Sequence, residues 1–137
     1  MPRTAEAVRI PQKARSILRK KSFGHLATLM DDGEPHVTPV WVDEEDGQIL
    51  VNTAEGRLKP ENVREDDRVA ISVTDPDDPY TAVVARGRAE LDHEGAEEHI
   101  DSLAQKYIGA ERYPWRQPGE ERVIVRITPE TLSVKEG

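Results

Sequence analysis

The sequence predicts a mainly β protein, an antiparallel barrel of six or seven strands with two helices. Three observations carry this expectation. Apolar residues recur with a period of two through most of the chain, and short Asp/Gly turns separate the runs as in hairpins. Only two long stretches keep the helical period of about 3.6 residues. A doubly wound sheet would need a helical crossover between most strands, and the chain holds too little helix for that.

The elements follow in order. Pro11 to Lys21 reads as a helix, with Ala14, Ile17, Leu18 and Lys21 near one stripe. Phe23 to Met30 is an apolar strand, Asp31-Asp32-Gly33-Glu34 a tight hairpin turn, and Pro35 to Val42 the returning strand. Asp43 to Gly47 is a second, acidic turn before the strand Ile49 to Thr53. Arg68 to Thr74 alternates, with Val69, Ile71 and Val73 facing inward. Asp75 to Pro79 carries two prolines and is expected to turn. Tyr80 to Asp92 is a long strand whose inward side (Val83, Ala85, Gly87, Ala89, Leu91) is small enough for a tightly curved wall. Ala96 to Ile108 has helical spacing and ends at Gly109, a residue suited to a helix C-terminus. Val123, Val125 and Ile127 alternate with Arg122, Ile124 and Arg126 in a final strand, and Thr131 to Val134 is expected to add a short last one.

A chain of 137 residues fits one domain, taken as residues 1–137 with 1–21 as an N-terminal arm and helix. No apolar run approaches the ~20 residues of a membrane helix. The first residues lack the apolar core of a secretory signal, so a cytoplasmic location is expected. Cysteine is absent, which excludes disulfides, thiolate catalysis and Cys-ligated metals. The formal net charge of −8 argues against general nucleic-acid binding, because a polyanion would be repelled. The acidic excess is also compatible with a salt-adapted cytoplasm.

Against that acidic background one basic cluster stands out. The strand ending at Asn52 and Thr53 turns at Gly56 and presents Arg57 and Lys59 at the mouth of a short helix. Cationic side chains beside free helix N–H groups form an anion site, above all for phosphate. The competing interpretation is a solvated turn whose charges only keep the loop soluble.

The common catalytic motifs for nucleotide binding and nucleophilic elbows are missing. The four histidines show no short-spaced ligand pair, so no metal site is expected. His25 is read as a packed or hydrogen-bonded strand residue, and His93 and His99 as solvent-facing. His36 opens an unusual strand, His36-Val-Thr-Pro-Val-Trp-Val42, with Pro39 in its middle. A proline there makes a bulge that turns backbone groups toward a planar ligand beside Trp41, or marks an edge strand with Trp41 in the core.

These segments together resemble the pyridoxamine 5′-phosphate oxidase-like split-barrel superfamily, and within it the coenzyme F420-dependent flavin/deazaflavin oxidoreductases. The resemblance rests on Gly24-His-Leu-Ala-Thr28, Asp32-Gly33, Val37-Thr-Pro-Val-Trp-Val42, Ile49-Leu-Val-Asn-Thr53, Gly56-Arg-Leu-Lys59, Asn62-Val-Arg64 and Asp67-Arg-Val-Ala70. It continues through Asp75-Pro, Pro79-Tyr80, Arg86-Gly87 and Tyr113 to Gly119, so it runs from about Phe23 to Ile127. The resemblance implies a split β-barrel homodimer with the cofactor in a groove at the subunit interface. Arg57 and Lys59 would hold the cofactor phosphate, Asn62 would fix the turn, and Asn52 and Thr53 would lie along the ribityl chain. His36, Thr38, Pro39, Val40 and Trp41 would belong to the strand lining the ring. Tyr80, Arg86, Trp115 and Arg116 would reach in from the partner subunit or flank the cofactor's acidic tail.

The implied activity is hydride transfer from reduced coenzyme F420 to a small conjugated acceptor. Positioning meets that demand, so no dedicated acid or base is expected, with His36 and Tyr80 the nearest proton donors. FMN in the same site is the alternative cofactor, and a non-enzymatic carrier or sensor of F420, FMN or haem the alternative role. The few aromatic residues (one Phe, two Trp, three Tyr) lie largely in segments assigned to the groove, as a planar ligand or a dimer interface would favour.

Overall fold

Seven antiparallel strands form one sheet in the computed structural model, which describes residues 8–136. The elements are α1 (Gln12–Arg19), β1 (Phe23–Leu29), β2 (Pro35–Trp41), β3 (Asp43–Glu45), β4 (Gln48–Ala54), α2 (Leu58–Glu65), β5 (Arg68–Asp75), β6 (Asp78–Asp92), α3 (Ala96–Ile108) and β7 (Arg122–Glu136). Residues 1–7, the start of the expected arm, lie outside the described part.

The strand order β2-β1-β5-β6-β7-β4-β3 explains the shape. β2 and β3 lie at opposite edges of the sheet, yet only Val42 separates them in sequence. One residue spans less than 4 Å of chain, so the sheet must curl until its two edges meet. The result is a barrel split along that seam.

The inside is filled by alternate residues. Val69, Ile71, Val73, Val83, Ala85 and Ala89 are buried as the period of two requires, and Leu26, Ile49, Val51, Val125 and Ile127 join the same cluster. α1 closes this core with Ala14, Ile17 and Leu18, all buried within it. α3 covers the outside of β4 and β7, where Leu50, Ala96 and Ile124 form a second cluster. Gly109 ends α3 in the left-handed conformation, φ 70°, with its N–H bonded back to Gln105 O.

Several expectations change. The described residues hold three helices rather than two, because the short helix expected after Arg57 is a full two-turn element, α2. Asp43–Glu45 is a strand, not part of a turn, since Glu44 is buried against Arg15 (3.4 Å) and Arg19 (3.1 Å) of α1. β7 runs unbroken through Pro129, which falls where the register shifts opposite Arg86 and Gly87, so no ladder bond is lost to the proline. Lys21 lies beyond α1 and is exposed, because the helix stops at Arg19. His25 is exposed on the outer side of β1. Pro39 pairs with His25 in an unbroken register, so β2 is a regular edge strand and the expected bulge is absent.

Candidate active site

The turn from β4 into α2 is a tight one. Arg57 N–H bonds Ala54 O at 3.3 Å, and Gly56 sits at φ 87°, where a side chain would be strained. α2 therefore starts beside the end of β4, with Arg57 at its cap and no side chain bonding its first N–H groups. Those donors are open to an anion. Asn62 does not fix the turn as expected. It is buried and donates to Thr28 Oγ1 at 2.9 Å, pinning α2 to β1.

Beside this turn lies a cleft of about 310 Å³. Pro39, Val40 and Trp41 of β2 form one wall, Asn52 and Thr53 of β4 the floor, and Arg57 and Lys59 one end. Phe23 of β1 and Ile100 and Leu103 of α3 complete it with apolar surface. The two cations differ. Arg57 is half exposed and faces Glu120 at 3.4 Å. Lys59 is half-buried and has no carboxylate within ion-pair distance among the described residues. Burial, and then the neighbouring Arg57, hold its pKa below the ordinary lysine value.

Two buried hydroxyls lack a hydrogen-bond partner among the described residues, Thr53 Oγ1 and Thr38 Oγ1. Thr53 lines the cleft, with its unpaired hydroxyl buried beneath the surface.

Asn52 is placed on the floor but its amide is largely spent. It donates to Ala96 O at 2.9 Å and to His99 Nδ1 at 3.0 Å, and accepts from Arg122 Nε at 2.9 Å. His99 is thus not solvent-facing: it is largely buried, and that burial lowers its pKa to about 4. Arg122 is buried and ion-paired with Glu120, its guanidinium 5.0 Å from the centre of the Tyr113 ring. The strand pattern alone put Arg122 on the solvent side; α3 and the segment after it fold over that side.

Trp41 stacks on Tyr107, with ring centres 5.1 Å apart and planes within 3°. Tyr113 and Trp115 approach at 6.2 and 6.3 Å, and Phe23 packs on Tyr107 at 5.8 Å. The Tyr107 contribution was hidden in sequence because its helical spacing marked it only as core. Arg116 binds Glu97 and Asp101 at 3.0 Å each and so ties the Trp115 segment to α3.

The remaining candidates lie elsewhere. His36 and Thr38 are on β2 but do not line the cleft, and Tyr80 is 75% exposed at the start of β6. Arg86 faces a separate, larger cleft of about 580 Å³ with Arg68 and Arg88. Arg68 and Arg88 there are paired with Asp66 and Asp67.

A curled antiparallel barrel split at one seam, with an anion-ready helix start beside a flat apolar wall, is the architecture of the split-barrel flavin- and deazaflavin-binding proteins. The chain belongs to the pyridoxamine 5′-phosphate oxidase family, whose model matches residues 10–136. It is 38% identical over 105 residues to the 5a,11a-dehydrotetracycline/5a,11a-dehydrooxytetracycline reductase of Streptomyces rimosus subsp. rimosus, covering 71% of this chain and 74% of that one. Among solved structures it is similar to an F420 reductase, with 28% identity, a TM-score of 0.77, and coverage of 90% and 98% of the two chains. An FAD-binding protein from Mesorhizobium loti is similar at 26% identity and a TM-score of 0.67, covering 91% and 93%. These relatives of the same fold comprise two reductases and an FAD-binding protein. No described helix is long and apolar enough to cross a membrane.

Proposed function

We propose that this protein is a reductase that binds reduced coenzyme F420 in the cleft and passes its hydride to a small conjugated acceptor. The observation that carries this reading is Lys59, a half-buried cation without a carboxylate partner, next to Arg57 and the uncapped start of α2. A half-buried charge without a counter-ion is costly, and a ligand phosphate supplies one. With two cations and an uncapped helix start at one end of the cleft, the residues present fit a phosphorylated cofactor. The reductase relatives support the activity.

When bound, the reduced deazaflavin supplies the hydride. The chain's own part is to hold and to shield. Arg57, Lys59 and the first N–H groups of α2 would hold the phosphate, with Thr53 behind them in the cleft floor. Pro39, Val40 and Trp41 would orient a planar ring, and Ile100 and Leu103 would help to keep water from it. No side chain of the cleft is required to move a proton before the hydride transfers.

The working unit in this reading is a cytoplasmic homodimer. Phe23 (58% exposed), Val37 (61%), Tyr80 (75%) and Trp115 (56%) leave much apolar surface in water, which a second copy would cover. Tyr80 and Arg86, absent from the cleft of their own subunit, then serve the partner's. FMN is the second reading, favoured by the FAD-binding relative and by a phosphate that Arg57 and Lys59 would hold equally.

Titration with coenzyme F420 and with FMN, followed by tryptophan fluorescence, tests this assignment. Trp41 should be quenched by the deazaflavin at micromolar concentration. Quenching by FMN with none by the deazaflavin overturns the assignment, and a monomer by light scattering removes the interface groove.

A further inference from the structure

A carboxylate stands at the edge of the anion site, where simple charge matching would have none. Glu120 Oε1 lies 3.4 Å from Arg57 Nη2, and the same carboxylate is ion-paired with Arg122. It also accepts the Gln117 N–H at 2.7 Å. Its side chain is only 6% exposed and Arg122's only 2%, so neither swings away into water. Arg122 is in turn fixed by Asn52 on the cleft floor and by the Tyr113 ring. Burial works against the charge of Glu120, but the Gln117 N–H and Arg122 outweigh it and hold the group ionised at neutral pH.

An anion arriving at Arg57 must therefore share that guanidinium with a fixed negative charge. Arg122 offsets part of that charge, but its guanidinium is already engaged by Glu120 and by Asn52 on the cleft floor. Each negative charge on the ligand gains from Arg57 and Lys59 and loses to Glu120. Glu120 takes back part of what each ligand charge gains, so a doubly charged phosphomonoester loses about twice what a singly charged phosphodiester loses.

We propose that Glu120 is a specificity-determining residue that matches the site to a singly charged phosphodiester and against a doubly charged phosphomonoester. The proposal rests on the cofactor reading above and deepens it. Coenzyme F420 carries its phosphorus as a diester, whereas FMN is a monoester whose second ionisation lies near pH ~6, as for other phosphomonoesters. Glu120 thus offers a reason, in this chain's own residues, for a deazaflavin to be preferred over FMN by a phosphate pocket that both could enter.

The test compares three ligands (coenzyme F420, FMN and the monomethyl phosphate ester of FMN) at pH 7.5 and constant ionic strength. Binding is measured with the unmodified protein and with Glu120→Gln, which keeps an oxygen for the Gln117 N–H. The unmodified protein should bind the methyl ester at least as tightly as FMN. Glu120→Gln should strengthen FMN binding more than that of either phosphodiester, shifting the ratio toward FMN by roughly 3- to 10-fold. A purely structural role for Glu120 would weaken all three ligands together. The proposal is overturned if the unmodified protein binds FMN several-fold tighter than its ester, a comparison that stands even if the variant does not fold. It is equally overturned if the ratio is the same in both proteins. Absence of binding by all three ligands would instead refute the cofactor reading beneath it.

Discussion

Asn52 donates a side-chain amide hydrogen to Nδ1 of His99 at 3.0 Å. The orientation of the amide is settled by its other partners, Ala96 O as acceptor and Arg122 Nε as donor. Turned over, it would set oxygen against oxygen and N–H against N–H. His99 Nδ1 is therefore the acceptor, and the ring proton sits on Nε2, which is buried without a partner. This one contact joins the cleft floor on β4 to the helix that covers it.

The contact makes stability depend on pH. Burial lowers the folded pKa of His99 to about 4, against opposing help from Asp43, while the unfolded value is 6.5. Between those values the unfolded chain binds the extra proton and the folded one does not, so stability rises with pH. It should be fully present above about pH 6.5 and decline as pH falls toward 4, by up to about 3 kcal/mol from this group. Urea unfolding at pH 7.5 and 4.5 measures the decline, and His99→Gln should remove most of it. An equal slope in the variant would place the titration elsewhere.

The anion site should weaken without harm to the fold. Replacing both Arg57 and Lys59 by Ala is expected to cost about 3–6 kcal/mol of cofactor binding, since each charge-assisted contact contributes ~1.5–3. Thermal unfolding without ligand should barely move. Because Lys59 is depressed by burial and by Arg57, its charge is lost at lower pH than for an ordinary lysine. Affinity should therefore start to fall earlier on the alkaline side, and Lys59→Arg should delay that fall. Unchanged affinity in the double variant would mean that the phosphate lies elsewhere.

Gly87 is a packing requirement rather than a turn residue. A Cβ built there would lie 2.0 Å from Thr128 O and 2.9 Å from Pro129 Cα, both backbone atoms that have no rotamer to change. Gly87→Ala should cost at least about 3 kcal/mol or abolish soluble expression, beyond the usual overpacking range of ~1–3. A urea midpoint close to that of the unmodified protein would contradict this.

Tyr107 holds the seam together with its hydroxyl. The group donates to Ser22 O at 2.6 Å and accepts the Val42 N–H at 3.0 Å, and Val42 is the single residue between β2 and β3. Tyr107→Phe should keep the Trp41 stack but lower stability by about 1–3 kcal/mol, because a buried N–H is left unpaired. Chemical denaturation checks the loss, and an unchanged tryptophan emission maximum would confirm that the stack survives.

Much of the barrel was legible because its signals are local. The alternation in Arg68–Asp75 and Asp78–Asp92, the Gly33 turn and the Gly109 stop of α3 each depend on residues within a few positions. Asp43–Glu45 was not legible, since its burial depends on arginines of α1 about thirty positions earlier. The reading of His99 as solvent-facing failed for the same reason: its cover comes from β4 and β7. In the site, Pro39, Trp41, Thr53, Arg57 and Lys59 converge on one cleft, whereas Tyr80 and Arg86 do not.

The amino-acid order by itself determined every strand but Asp43–Glu45, the inward faces and the basic start of α2, because periodicity and turn chemistry act over one or two turns of chain. Only the tertiary structure decided which charges meet. It paired Glu120 with Arg57 and Arg122, set His99 against Asn52 and left Lys59 without a carboxylate among the described residues. Those outcomes depend on which strands become neighbours when the sheet curls, and Coulombic and desolvation energies follow distance in space rather than distance in sequence.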